Sequence, residues 1–445
     1  MRSTTRVAAV AAAIVLIATA SACGSQSNDS ESPSASASES ASVTEQALTV
    51  WFPGNLPEEM ELVNDKLVPE FEAQHPGVEV TVEFVAWGDL STRLSTAFAG
   101  GTVPDVFGHG VAATAGFADG GRLAPLDSYV AGMSAQDKED LTFLEAGQVD
   151  GVQYQVPLRG FGYLVAYRGD QAEEAGLDTT KAPADWDTLR AWAEALTVKD
   201  GETITRSGFT VPADAPTSMN QAFGAFLYQA GGSFVDDKGT TVTWDSPEGV
   251  AALEFIAAIY NGPDAVGTGI GDAAGASGAQ HALCTGATAM SLVSDEVMKS
   301  IAAQAPDCAA NLVVVPPLTE KVQASFGGSG NGLFISADSP NQDLAWDFIE
   351  FMVSPDVSRD YVLAVGGIPS RASAAADPAI AQLDYLAPYI EAAPFFQGNP
   401  NIVTWTQVRD ALGAKLEEAF RGVTEPAAAL EAAAQEAQAI IDQES

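Results

Sequence analysis

Residues 47–107 read ALTVWFPGNLPEEMELVNDKLVPEFEAQHPGVEVTVEFVAWGDLSTRLSTAFAGGTVPDVF, and this stretch decides the fold. Ala47 to Phe52 is a short apolar run, the pattern of a buried strand. Pro57 then opens a helix in which Met60, Val63, Leu67 and Phe71 recur at the spacing of one buried face, and His75-Pro76-Gly77 stops it. Val78, Val80, Val82 and Phe84 alternate with polar residues as in a half-buried strand. Asp89 is placed to cap a second helix with Leu90, Leu94 and Phe98 on one side, closed by Gly100-Gly101. Val103 to Phe107 supplies a third strand. Strand–helix–strand–helix–strand is the unit of a parallel α/β sheet with right-handed crossovers.

The same alternation recurs downstream, with helices predicted over 184–196, 246–260 and 339–353. Ser246-Pro247 and Ser339-Pro340 read as a cap followed by a first-turn proline. Asp236-Asp237-Lys238-Gly239 reads as a turn, because it lacks the alternating oxygen ligands and distal Glu of a calcium loop. No tandem repeat is evident.

Upstream, Arg2 and Arg6 precede an apolar run from Val7 to Ala20, and Ala20-Ser21-Ala22-Cys23 closes it. The run is too short to span roughly 30 Å of hydrocarbon and suits a signal-peptide core. Residues 24–46 are rich in Ser, Ala, Glu and Asp without a periodic apolar face, the composition of a flexible tether. Both features place the rest of the chain outside the cytoplasm. Beyond Cys23 the only cysteines are Cys284 and Cys308. In an oxidising compartment they are expected to pair, two buried free thiols being the alternative.

Twenty basic and 59 acidic residues give a net charge of −39. Such a field repels nucleic acid and anionic head groups, so neither is expected as a partner. It says little about a small neutral ligand, because salt screens it within about 8–10 Å. With three histidines, neither a His-based triad nor a zinc site is expected, and no metal or other cofactor is called for. Gly327-Gly328-Ser329-Gly330-Asn331 is not a nucleophile elbow, Gly267–Gly271 lacks the dinucleotide spacing, and no phosphate-binding Gly-Lys-Ser/Thr loop occurs. The chain is not expected to be an enzyme.

In open parallel sheets the ligand crevice lies beyond the carboxyl ends of the strands. Here those ends carry Trp51-Phe52, Trp87-Gly88-Asp89 and Phe107-Gly108-His109. Aromatic faces suit the apolar face of a sugar ring, while nearby Asn, Asp and His bond hydroxyls. Trp51, Trp87 and His109 are therefore site candidates, with core packing as the alternative for the two tryptophans.

Ten segments in order carry a family resemblance across almost the whole chain after residue 47. They include Leu48-Thr49-Val50-Trp51, Gly101-Thr102-Val103-Pro104-Asp105-Val106, Tyr154-Gln155-Val156-Pro157 and Leu164-Val165-Ala166-Tyr167. Ala184-Asp185-Trp186-Asp187-Thr188-Leu189, Gln229-Ala230-Gly231-Gly232 and Thr285-Gly286-Ala287-Thr288-Ala289-Met290 follow. Gly327-Gly328, then Ser339-Pro340 leading into Ala345-Trp346-Asp347-Phe348, and Gly366-Gly367-Ile368-Pro369 complete the set. The chain resembles extracellular solute-binding proteins of carbohydrate ABC transporters, the class that includes maltose-binding protein. Arg168 stands where that family often has Asn. The small residues before Cys23 likewise resemble a bacterial lipobox, with Ala20 where a branched aliphatic residue is usual.

The resemblance implies an α/β, two-lobed periplasmic-binding-protein-like fold with two or three crossings, near Pro157–Phe161, Gly327–Gly332 and Gly367–Arg371. It implies residues 1–22 as signal peptide and 23–46 as lipidated Cys23 plus tether. Residues 47–159 with 331–371 form the first lobe, and 160–330 with 372–445 the second. Expected ligand contacts are Trp51, Asn55, Trp87, His109, Arg159, Phe161, Tyr163, Asp295, Gly328, Ser329 and Arg371. Phe395, Phe396 and Trp405 are further candidate platforms, while Trp186, Trp192, Trp244 and Trp346 read as core. The implied function is capture of a mono- or oligosaccharide by lobe closure and its delivery to a membrane permease. The implied protein is a monomer, lipid-anchored to the outer face of the cytoplasmic membrane. A secreted glycosidase with the same cleft, or a sensor lipoprotein of the same fold, are the alternatives.

Overall fold

The structure is a computed structural model and describes residues 46–271 and 277–444. The signal peptide, Cys23 and the tether up to residue 45 lie outside the described residues. The opening stretch folds as its pattern predicts: strands Gln46–Pro53, Val78–Val85 and Val106–Gly110 pair in parallel, with Gln46–Pro53 in the middle. Asn331–Ile335 and then Val156–Pro157 extend this five-stranded sheet antiparallel to their neighbours. Leu48, Val50 and Phe52 are buried against Val63, Leu67 and Phe71, and Trp346 and Phe348 close the same core.

The third strand begins at Val106 rather than at Val103. Asp105 is the reason: its buried carboxylate accepts from the Thr49 N–H and hydroxyl (2.9 and 2.7 Å) and from the Ser339 hydroxyl (2.6 Å). Ser339 is thereby drawn to Asp105, and the predicted cap moves to Asn341 with the helix running Gln342–Met352. The second helix runs Trp87–Gly100 from Ala86, so Asp89 lies in its first turn without a side-chain cap bond. Gly101 closes it in the left-handed region (φ 64°).

The first helical stretch departs from its predicted face. Between Pro57–Leu62 and Val68–Gln74 the backbone widens into a π turn at Val63–Leu67. The wider turn keeps residues spaced by four on one stripe. Glu59, Val63, Leu67 and Phe71 are therefore buried, and Met60 is exposed.

A second, eight-stranded sheet is built on the long strand Arg159–Arg168, flanked by Ser325–Ser329 and Thr288–Ser294, both antiparallel to it. Thr203–Thr210 continues it in parallel to Thr288–Ser294. Helices Trp186–Leu196, Pro216–Gln229, Pro247–Tyr260 and Trp405–Phe420 cover it, burying Trp186, Trp192, Trp244 and Trp405. Asp185 and Thr188 form a capping box, and the Ser246 hydroxyl accepts from Gly249 N–H. Residues 236–239 form the predicted turn, in which Asp236 accepts from the Thr240 and Thr241 N–H groups. Cys284 and Cys308 are bonded, tying the short helices Ala282–Thr285 and Pro306–Ala309 together.

Candidate functional site

The chain passes from one sheet to the other at Leu158 and returns at Gly330. Leu158 N–H donates to the Asn331 carbonyl (3.0 Å), and Gly330 N–H donates to the Arg159 carbonyl (3.0 Å), so the two passages are hydrogen-bonded side by side. A third passage runs through Gly366-Gly367, both in the left-handed region (φ 93° and 100°). Ile368-Pro369 then pairs with Gly160 and Arg159.

Alternation along Arg159–Arg168 sends Arg159, Phe161 and Tyr163 to one face and leaves Gly160 and Gly162 bare on the other. The bare face is filled by rings. Phe143 covers Gly160, and Phe396 covers Gly162 and Gly327, each nearer than a Cβ would allow. Phe396 is thus a packing residue rather than a sugar platform. Phe143 holds its position with φ at 62°, one of two non-glycine residues there among those described.

On the side-chain face, polar groups converge from distant parts of the sequence. The Arg159 guanidinium pairs through Nη2 with Glu296, which follows Asp295 at the start of the helix Asp295–Gln304. Arg159 Nε and Nη1 have no hydrogen-bond partner. Asp295 is fully buried; its Oδ1 accepts from Gly162 N–H (2.9 Å) and its Oδ2 has no partner. Ser329 Oγ and Asn331 Oδ1 are likewise buried and unpaired. Burial, reinforced by the neighbouring Glu296 charge, pushes the Asp295 carboxyl above the usual range. Arg159 holds the Glu296 carboxyl below it. Across from them, the Tyr361 hydroxyl donates to buried Glu59, whose carboxyl is raised by burial.

An unsatisfied buried donor or acceptor costs about 1–3 kcal/mol. Four side chains at the junction of two sheets carry such atoms without a protein partner, an arrangement suited to a molecule that brings hydroxyl groups to them. A cavity of 490 Å³ opens here, lined by Asn55 from the loop after Gln46–Pro53, by Trp87 from the start of its helix, and by Arg159, Glu296 and Lys299. Trp87, 50% exposed, offers it an aromatic surface. A second cavity of 650 Å³ lies beyond, lined by Tyr163, Asp214, Tyr260 and Glu296.

Of the expected contacts, Asn55, Trp87 and Arg159 line the first cavity and Tyr163 the second. Asp295, Gly328 and Ser329 sit at the junction itself, Gly328 with φ at 114°. Phe161 packs edge-on against Tyr163 and Phe326. His109 lies edge-on to Trp87, with Nε2 3.2 Å from the Ser91 hydroxyl; burial pushes its pKa down to about 4.

Two expectations are corrected. Trp51 lines neither cavity; it packs beneath the Trp87–Gly100 helix, with the Arg93 guanidinium 4.7 Å over its ring. Arg371 is 2% exposed and donates to the Val353 carbonyl (2.6 Å) and the Asp137 carbonyl (3.0 Å), beside the Asp137 and Asp140 carboxylates. Its charge is consumed in joining the helix Ala135–Asp140 to the end of the helix Gln342–Met352. Trp405 is 1% exposed and stacks edge-on with Phe234, and Phe395, although exposed, lines neither cavity. Glu59, Glu296, Lys299 and Asn331 were not foreseen. The four-residue spacing from Glu59 to Val63, Leu67 and Phe71 pointed to Glu59, and the expected crossing at Gly327–Gly332 contained Asn331.

Comparison with known proteins agrees with this architecture. The sugar-binding protein MalE of Xanthomonas citri superposes with a TM-score of 0.78 at 23% identity, over 90% of this chain and 98% of that one. The GacH receptor of Streptomyces glaucescens, whose structures include a complex with acarbose, gives 0.74 at 25% identity over 89% and 99%. An uncharacterized lipoprotein encoded in the oleD 5′ region of Streptomyces antibioticus is 28% identical over 320 residues, 71% of this chain and 68% of the relative. The sequence signature of bacterial extracellular solute-binding proteins matches residues 54–358, and with two sheets joined by crossing strands around a polar junction, the chain belongs to that family.

Proposed function

We propose that this protein is the substrate-binding component of a carbohydrate ABC importer, taking its sugar at the junction of the two lobes. The observation that carries the reading is the set of buried, unpaired polar atoms on Arg159, Asp295, Ser329 and Asn331 at the crossing strands, with Arg159 and Asn331 sharing a cavity with half-exposed Trp87. Sugars supply both what that set lacks, hydroxyls that donate and accept, and what an indole face attracts, a ring of C–H groups. The sugar-binding and acarbose-bound relatives support the assignment. The lobes are residues 47–159 with 331–371 and residues 160–330 with 372–445. Closure of the lobes on the sugar orders the Arg159–Glu296 face against Asn55 and Trp87 and changes the surface offered to the permease.

The protein works without covalent chemistry, as a monomer, outside the cytoplasm. Residues 1–22 act as signal peptide, and Cys23 carries the lipid anchor that keeps the binder beside the permease; the Streptomyces lipoprotein relative supports this placement. One acyl chain anchors only marginally, so the multiple chains of lipoprotein processing are required. A thermal-shift screen over mono- and oligosaccharides tests the function. A sugar at 100 times its dissociation constant adds about 2.7 kcal/mol and a plainly raised melting temperature. The absence of any shift across the panel overturns the assignment.

A further inference from the structure

Glu296 lines two cavities rather than one. The first, of 490 Å³, lies between loops of both sheets. The second, of 650 Å³, lies along Thr288–Ser294 and the end of Thr203–Thr210, within the second sheet's part of the molecule. Each alone falls in the range of roughly 300–1,000 Å³ that holds a small ligand. A single sugar ring would occupy part of one and leave the other to water. Each also has its own aromatic wall: Trp87 in the first, Tyr260 and Tyr163 in the second.

Their polar linings differ in a way that defines the ligand. The first cavity sets Arg159 and Lys299 among Glu58, Glu59 and Glu296. Among the described residues, the second has no lysine or arginine at all; its charged groups are Asp214 and Glu296, and burial keeps His281 neutral with a pKa of about 4. Around them stand hydroxyls, among them Thr210, Thr285 and Ser291. A phosphate or carboxylate entering that cavity would meet two carboxylates and no cation, whereas a neutral hydroxyl donates to either carboxylate.

We infer that the ligand is an uncharged oligosaccharide of at least two units, running from the Trp87 cavity past Glu296 into the Tyr260 cavity; this rests on the sugar-binding function proposed above. Glu296 then sits beside the link between units, with Arg159 holding its carboxylate in place.

Ala303 and Ala287 are small, exposed residues that line the first and second cavities respectively. Ala303→Trp and Ala287→Trp plug one cavity each, and both are tested on protein whose unliganded melting matches the native chain. The probes are glucose, galactose, mannose and xylose with their di-, tri- and tetramers, and a uronic acid oligomer. The expected result is an affinity that rises from monomer to oligomer within one neutral series, with no binding of the uronate. Each plug should lower oligomer affinity by about tenfold or more. A monosaccharide binding as tightly as its oligomers, an oligomer insensitive to one of the plugs, or tight binding of the uronate overturns the inference while sugar binding stands. Silence from every saccharide overturns sugar binding itself, and the inference with it.

Discussion

The Phe396 ring occupies the place over Gly162 that any side chain there would need. Gly162 lies on the strand that leaves the first crossing, and its N–H is the donor that holds buried Asp295. One glycine thus serves both the packing of the junction and the orientation of a site carboxylate. A Cβ at this position forces the ring or the strand to move. Gly162→Ala should destabilise the protein by about 1–3 kcal/mol, the cost of overpacking. Gly110 has φ at −64° and open space around its Cα, so Gly110→Ala serves as the near-neutral control. Urea denaturation of the two variants measures the difference.

Ser329 separates a binding residue from a structural one. Its hydroxyl is buried without a partner, so the empty protein gains nothing from it. Ser329→Ala should leave the unliganded melting temperature unchanged or raise it, and weaken sugar binding by about 0.5–1.5 kcal/mol, the worth of one hydrogen bond. Calorimetric titration beside a melting curve checks both halves; loss of stability without loss of affinity would mark Ser329 as structural.

Two tryptophans at strand ends should behave in opposite ways. Trp51 is packed under Arg93 and against the cluster of Leu90, Leu94 and Phe107, so Trp51→Ala should lower the stability of the unliganded protein by about 3 kcal/mol, toward the lower end for a buried aromatic. Trp87 is 50% exposed at the mouth of the first cavity. Trp87→Ala should leave the fold close to native stability and reduce the melting shift produced by the sugar. The reverse pattern would put the platform at Trp51.

His109 and His281 predict a pH dependence. Burial lowers both from 6.5 to about 4 in the folded chain. The unfolded chain therefore takes up these protons first, and stability is lost as pH falls through the window from about 6.5 to about 4. Asp295 and Glu59, raised by burial, act with the opposite sign in acid. The histidine contribution is isolated by comparing the native chain with His109→Gln/His281→Gln. The double variant should show a shallower fall in melting temperature between pH 7 and pH 4; parallel curves would mean the histidines do not titrate as described.

Much of the fold was legible in residues 47–107 because burial there is local and periodic. The strands of the opening sheet, the end of a helix at Gly101 and the Asp185 and Ser246 caps follow from neighbours within a few residues. Asp105 shows where this stops: its bonds to Thr49 and Ser339, the latter 234 residues away, shortened one strand and moved a helix start. The π turn that buries Glu59 in place of Met60 answers to Tyr361, 302 residues on.

The candidate site divides in the same way. Position after a strand marked Trp87 and Asp295, and the family resemblance marked Asn55, Arg159, Tyr163 and Ser329; Asn55, Trp87 and Arg159 line the first cavity, Tyr163 the second, and Asp295 and Ser329 lie at the crossing strands. Trp51, marked by its strand end, and Arg371, marked by the resemblance, went elsewhere. Alternation puts Trp51 and Phe52 on opposite faces of a sheet, but both faces are covered, and only the arrival of Arg93 from the Trp87–Gly100 helix shows which cover each meets. For Arg371, the deciding acids Asp137 and Asp140 stand more than 230 residues earlier. The amino-acid sequence by itself determined the α/β layering and the family, because those rest on short-range periodicity and ordered segments. Which polar atoms are left without a partner was decided only by tertiary structure, because that depends on every group that packing brings within hydrogen-bond reach.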